Sequence, residues 1–387
     1  MRVLNRPGVV RRAATVLVGC AAVAALSTSV PALAATRGHH FGYPGGAVFV
    51  QTDNTAGNQV VAYQRDRDGA LSLAGTYATG GLGGQLTGSV VDHLASQGSL
   101  VLDQERGLLF AVNAGSNTVS VFAVRGDRLA LREVIGSGGA FPVSVAVHGD
   151  LVYVLNALGG GTVQGYYLQF GHLFPIQGSS RPLGLAIVTG PAQFTNTPGQ
   201  VAFSPDGSQL IVTTKMNGND IDVFGVRSDG RLTTGPVANS EPGTVPFGVI
   251  FDQAGQLVIA DAGTDALATY SLAADGVATL IDSAGTGQAA TCWVARDGGQ
   301  LFASNAGSAN VSGYSVAADG ALSLLGQTST DPGTVDAVAT PGGRFLYVQT
   351  GGTGTVDEFA VGAGGSLSPV GSVLVAGAVG GEGIAAS

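Results

Sequence analysis

The chain has 387 residues, 63 of them glycine, and only 11% of them are charged. Its net charge of −9, with 26 acidic against 17 basic side chains and a single lysine, Lys215, excludes the clustered cationic surface that nucleic-acid phosphates require. Two cysteines in this length rule out a disulfide-stapled scaffold, while the glycine surplus suits many tight turns between short strands.

Residues 1–34 read as an export signal: Arg2, Arg6, Arg11 and Arg12 precede an apolar run from Ala13 to Val30, then the small-residue site Ala32-Leu33-Ala34. Pro31 and the wholly basic front argue against a membrane-spanning helix. Cleavage there leaves 13 basic against 26 acidic side chains, a net charge of −13, and one cysteine, Cys292, so no intrachain disulfide can form. A secreted protein is expected. Leu17-Val18-Gly19-Cys20 also resembles a lipoprotein cleavage box, so the alternative is a lipid anchor at the cell surface through Cys20, the one case in which the membrane is a partner. Residues 35–46 form a short linker.

From residue 47 the chain repeats itself. One strand pattern occurs seven times: "AVFVQT" (47–52), "LLFAVN" (108–113), "LVYVLN" (151–156), "QLIVTT" (209–214), "QLVIAD" (256–261), "QLFASN" (300–305) and "FLYVQT" (345–350). A second alternating strand follows each, with an aromatic residue at Tyr63, Phe122, Tyr166, Phe224, Tyr270, Tyr314 and Phe359. Asp68-Gly69, Asp229-Gly230, Asp275-Gly276 and Asp319-Gly320 predict two-residue hairpins into a third strand, and a further strand precedes each unit. Four strands at a period in the forties predict an all-β, seven-bladed propeller over residues 47–387. The first unit lacks its innermost strand, and "GGEGIAAS" (380–387) supplies one in matching register. The C-terminal strand is therefore expected to close the ring inside the N-terminal blade, which removes a free sheet edge.

"NAGSNTVSVFAV" (113–124) returns as "NAGSANVSGYSV" (305–316). The phrase reads as shape, with Asn113 and Asn305 satisfying loop backbone groups. Together with "FSPDGSQLIVTT" and the run "LASQGSLVLDQERGLLFAVNAGSNTVSVF" (94–122), these blades resemble the lactonase-type seven-bladed propellers, the 6-phosphogluconolactonase-like proteins and carboxymuconate cyclases. The resemblance implies a site in the central channel acting on a lactone or related acid. The family's His-containing segment reads Thr197-Pro198-Gly199-Gln200 here, its Arg-His pair Ala290-Thr291 and its Asn-Glu pair Asn305-Ala306, so no catalytic residue transfers.

Aromatic spacings of 59 and 58, against 44 to 46 elsewhere, mark two insertions on the channel-mouth face, residues 77–98 and 178–199. They carry Asp92, His93, Ser96 and Gln97 in the first, and Arg181, Gln193 and Asn196 in the second. Aligned inner strands put Ser99, Gln200, Gly248, Thr291, Asp336 and Glu382 at one level of the funnel. Asp336 and Glu382 come from neighbouring blades and are the candidate catalytic acid and base; the same pair reads equally as two solvated carboxylates in a wet channel. Ser99, Gln200, Thr291, His93 and Arg181 are the candidate substrate-binding residues. His148 and His172 fall on hairpin turns of the opposite face, and Cys292 and Trp293 read as core. No metal site or cofactor is expected: Asp66-Arg67-Asp68-Gly69 lacks the closing Glu of a calcium loop, and no nucleophile elbow or dinucleotide fingerprint occurs. The reading is a monomeric lactonase-like hydrolase for a small lactone or carbohydrate-like ligand. Its alternative is a non-catalytic binding scaffold on the same propeller.

Overall fold

The computed structural model describes residues 45–387; the export signal, Cys20 and nearly all of the linker lie outside them. Seven antiparallel sheets follow one another in chain order. Blade 1 contains Gly46–Gln51, Gln59–Arg65 and Leu71–Ala78, with Ile384–Ala386 as its inner strand. Blade 2 runs through Leu100–Asp103, Leu108–Asn113, Thr118–Arg125 and Arg128–Gly136, and blade 3 through Pro142–His148, Leu151–Asn156, Thr162–Gln169 and His172–Pro175. In blade 3 the short strand Arg181–Pro182 adds a second partner to Thr162–Gln169. Blade 4 contains Val201–Phe203, Gln209–Thr213, Asp220–Gly225 and Val237–Ser240; blade 5 contains Pro246–Phe251, Leu257–Asp261, Ala266–Leu272 and Ala278–Gly285. Blades 6 and 7 comprise Thr291–Asp297, Gln300–Asn305, Asn310–Val316, Leu322–Ser329 and Thr334–Ala339, Phe345–Thr350, Thr355–Val361, Leu367–Leu374.

The ring closes as the sequence predicts. Val48, Phe49 and Val50 pair with Ala386, Ala385 and Ile384, so head and tail share blade 1. Each inner strand touches the inner strands of the blades on either side. The second strands are buried on both faces, because blades stack on both; Leu108–Asn113 and Phe345–Thr350 are buried at every position. All seven repeated aromatics are buried. Three tyrosine hydroxyls reach the outer strand of the preceding blade: Tyr63 to the Leu374 carbonyl (3.3 Å), Tyr166 to that of Gly136 (2.6 Å) and Tyr314 to that of Ala284 (3.2 Å). The aromatic column therefore fixes how consecutive blades stack.

Two local features differ from expectation or add to it. The Asp-Gly pairs end longer loops rather than forming two-residue turns. At each, a residue such as Asp66 closes on Ala70 while Gly69 donates back to Asp66, and Ala317, Ala321 and Gly320 repeat the arrangement. The glycine (φ 92° at Gly69, 91° at Gly320) takes the left-handed bulge position after a type I turn, which a Cβ would strain. In addition, the inner strands of blades 3, 5, 6 and 7 each break register near the channel mouth, between Pro142 and Ser144, Pro246 and Val249, Thr291 and Trp293, and Thr334 and Ala337. Such bulges re-aim side chains, and Asp336 lies in the last of them.

Candidate functional site

The channel mouth is filled by the chain itself. The first insertion leaves blade 1 at Ala78, crosses the mouth as irregular backbone and enters blade 2 at Leu100. Leu86 and Leu94 are fully buried and pack with Phe141, Val143 and Ala114. Around the mouth, successive blades hold this plug. The Ser96 hydroxyl donates to the Val143 carbonyl (3.0 Å), and the Gln97 amide donates to the Val294 carbonyl while accepting from its N–H. The Trp293 indole donates to the Ser96 carbonyl at 2.6 Å, with Phe247 edge-on to its ring at 5.0 Å. Trp293 is core, as expected, but it is also a support for the plug.

Lys215 ties the two insertions together. It is 1% exposed and adopts a left-handed backbone at φ 53°. Its Nζ donates to the carbonyls of Ala95 in the first insertion (2.5 Å) and Phe194 in the second (2.6 Å), and to the Thr197 hydroxyl (3.1 Å). The ammonium also lies 5.2 Å from the Phe247 ring centroid. Burial pulls its pKa down to about 8, partly offset by the charge of Asp92.

Where the plug meets the ring of blades, four carboxylates from separate segments come together, Asp92 from the plug and three from the ring. Asp336 and Glu382 are 4% and 0% exposed, so both carboxylates lie buried under the plug rather than on an open channel wall. Glu382 Oε2 lies 2.7 Å from the Ser96 hydroxyl, whose single proton it shares with the Val143 carbonyl, and Glu382 Oε1 is buried without a partner. Burial, then the charges of Asp92, Asp336 and Asp53, push its pKa well up. Asp336 is raised to about 7 by burial, against donation from the Ala337 amide (2.9 Å). Asp53, left-handed at φ 52°, accepts from the Glu382 amide (2.8 Å) and the Gln51 side chain (2.5 Å), and burial raises it to about 8. Asp92 is raised to about 6 by burial although the Leu94 and Ser96 amides (2.9 and 3.0 Å) bind its two oxygens. Among the described residues, Lys215 is the cation whose charge acts on this cluster, through Asp92 and Glu382.

The other expected site residues serve the frame. Ser99 donates to the Glu382 carbonyl (2.9 Å), joining blades 2 and 1; Gln200 accepts from the Val249 amide (2.6 Å), joining blades 4 and 5. Thr291 is turned to Asn305 (2.6 Å) inside blade 6. Arg181 is not at the mouth: its guanidinium is bound by the carbonyls of Thr233, Leu232, Gly178 and Ser180 between the outer parts of blades 3 and 4. His93 lies in the plug, its backbone amide on the Gly380 carbonyl (2.8 Å) and its Nδ1 buried without a partner. No group of three or more His, Cys, Asp or Glu side chains suited to a metal ion occurs among the described residues. Beside the plug, the second insertion borders a cleft of about 170 Å³ lined by Leu158, Leu185, Ile187, Val188, Gln193 and Asn196.

Sequence reading missed Asp53 and Lys215, yet both carry a signal. The residue after each repeated strand is Ala114, Ala157, Ala262 and Ala306 in four blades and Gly351 in a fifth; only blades 1 and 4 place a charge there.

No family model matches the chain, and no curated protein sequence does. Solved structures do. A candidate 6-phosphogluconolactonase from Bacteroides fragilis superposes with a TM-score of 0.69 at 19% identity, covering 88% of this chain and 98% of its own. The periplasmic gluconolactonase of Pseudomonas aeruginosa gives 0.69 at 18% identity over the same shares, and a protein from Lactobacillus plantarum gives 0.68 at 20%, over 88% and 99%. At these identities the likeness is one of fold, and it places the chain among structures with the lactonase-type seven-bladed architecture.

Proposed function

We propose that the acid cluster under the plug hydrolyses a lactone. The observation that carries this reading is the meeting of Asp336 and Glu382, from adjoining blades, in a buried site where both hold protons above the carboxylate range and Glu382 Oε1 has no partner. Perturbed acids of this kind concentrate at functional sites. Like charges in one buried site keep one member of such a pair protonated while the other ionises. The ionised member takes a proton from the attacking water. The protonated member gives its proton to the ring oxygen as the acyl C–O bond breaks, leaving a hydroxy acid. The new carboxylate is repelled by the acids around it, which favours release.

The substrate class follows from charge. The three protons of Lys215 are committed to protein acceptors, so a phosphate has no cation to hold it, and an uncharged lactone fits. The signal read over residues 1–34 and the periplasmic location of the Pseudomonas aeruginosa gluconolactonase support an exported protein, with the Cys20 anchor as the alternative. Hydrolysis across a panel of phosphate-free lactones tests the reading, and Asp336→Asn and Glu382→Gln should each lower the rate by about a hundredfold or more. Equal rates in both variants would remove these residues from the mechanism.

The plug supports a second reading, a non-catalytic binding scaffold. It fills the mouth, and Val90, Ile187, Met216 and Val379 are exposed on the loops around it. Absence of hydrolysis by the wild type across the panel selects this reading.

A further inference from the structure

The plug and the acids beneath it form a second device, independent of whether those acids are catalytic. Residues 85–98 have no regular structure and are held by side chains and carbonyls of separate blades, through Lys215, Trp293, Val143, Val294, Gly199 and Gly380. Gly98, at φ 86°, ends the segment in a conformation that only glycine adopts without strain. One of the four carboxylates, Asp92, belongs to the plug itself. The other three, Asp53, Asp336 and Glu382, belong to the ring of blades. Moving the plug therefore separates Asp92 from three like groups and lets water reach all four.

We propose that the plug is proton-gated: it closes the channel while the carboxylates beneath it are protonated, and their ionisation drives it out. The sign follows from burial. Closed, the acids hold their protons above the ordinary carboxylate range, Asp92 to about 6, Asp336 to about 7 and Asp53 to about 8. Open to water, they return towards about 4. Closure is thus fully favoured below about pH 4, and this contribution is lost as pH rises through 6 to 8. The remaining groups that face the cluster do not reverse this. Lys215, lowered to about 8, is protonated both open and closed below that pH and opposes opening only above it. The Cys292 thiol, raised by burial, stays neutral throughout, and His93 is held below the ordinary imidazole range. Leu86 and Leu94, fully buried, supply the apolar packing that keeps the plug seated when the acids are neutral.

Amide hydrogen exchange on the purified protein tests this without reference to activity. After correction for the intrinsic pH dependence of exchange, protection of residues 86–97 should fall by about tenfold or more between pH 5 and pH 8, since each unit of pKa difference is tenfold in the opening equilibrium. The strand Leu257–Asp261 should keep its protection. Asp53→Asn, a residue type at ease in left-handed backbone, should reduce the fall, and Asp53→Asn with Asp336→Asn should reduce it further. Equal plug protection at both pH values in the wild type overturns the proposal, whatever the variants do. A fall of the same size in a folded variant also overturns it, because the invoked charges would then have no part in it.

Discussion

The loops that follow the second strands of blades 2 and 6 and those of blades 1 and 4 occupy the same place in the repeat and do opposite things. In blades 2 and 6, Asn113 donates to Thr118 and Ser120 (3.1 and 2.8 Å), and Asn305 donates to Asn310 and Ser312 (2.7 and 2.9 Å). Both side-chain N–H groups of each asparagine are met within seven residues, and the alanine that follows asks for nothing. In blades 1 and 4 that alanine is replaced by Asp53 and Lys215, both left-handed and buried, and their partners come from sequence-distant segments. A repeat that satisfies itself locally carries shape. Where it departs, the unsatisfied charge must be met across the channel, and the site gathers there.

Four substitutions sharpen or break this contrast. Lys215→Met should cost most, about 3–5 kcal/mol, because three buried acceptors lose their donor and Asp92 loses the opposing charge of Lys215. The denaturant midpoint would show it, and a loss below 1 kcal/mol would mean that Lys215 does not hold the insertions.

Asn113→Ala and Asn305→Ala should each cost less, about 1–3 kcal/mol, and cost it nearly equally, since each removes two side-chain hydrogen bonds, one of them to the equivalent serine hydroxyl, from the same loop. A large difference between the two would show that the repeated phrase is not one structural unit. The side-chain oxygens provide a control on that comparison: Asn113 accepts from Asn58 of the neighbouring blade (3.1 Å), whereas Asn305 accepts from Thr291 of its own (2.6 Å).

Asp53→Asn should be the mildest, and its effect should grow with pH. The Asp53 carboxyl, raised to about 8, contributes stability that is complete below about pH 4 and lost as pH rises through 8. The variant should therefore melt within about a degree of wild type at pH 5 and about 2–4 °C higher at pH 8. The amide oxygen of the variant still accepts from the Glu382 amide, and its N–H is met once the Gln51 side chain turns to present Oε1, which is without a partner in the wild type. Parallel melting curves at the two pH values would show that Asp53 is not buried in its protonated form.

The sequence by itself determined the propeller: the blade count, the closing C-terminal strand and the aromatic column all follow from alternation and spacing, which are local properties. It also put Asp336 and Glu382 at one level of the funnel, because inner strands align by repeat. Tertiary structure alone decided whether that level was wet. The first insertion shows no periodicity, so nothing in residues 85–98 announces that Leu86 and Leu94 seat it in the mouth. Arg181 looked like a rim cation by position in the chain, yet the carbonyls of a neighbouring blade claim it. Lys215 stood out as the chain's single lysine, but its role depends on carbonyls 120 and 21 residues away in sequence. Repeats encode what each blade does with its own groups; which buried charges meet at the centre is a property of the closed ring.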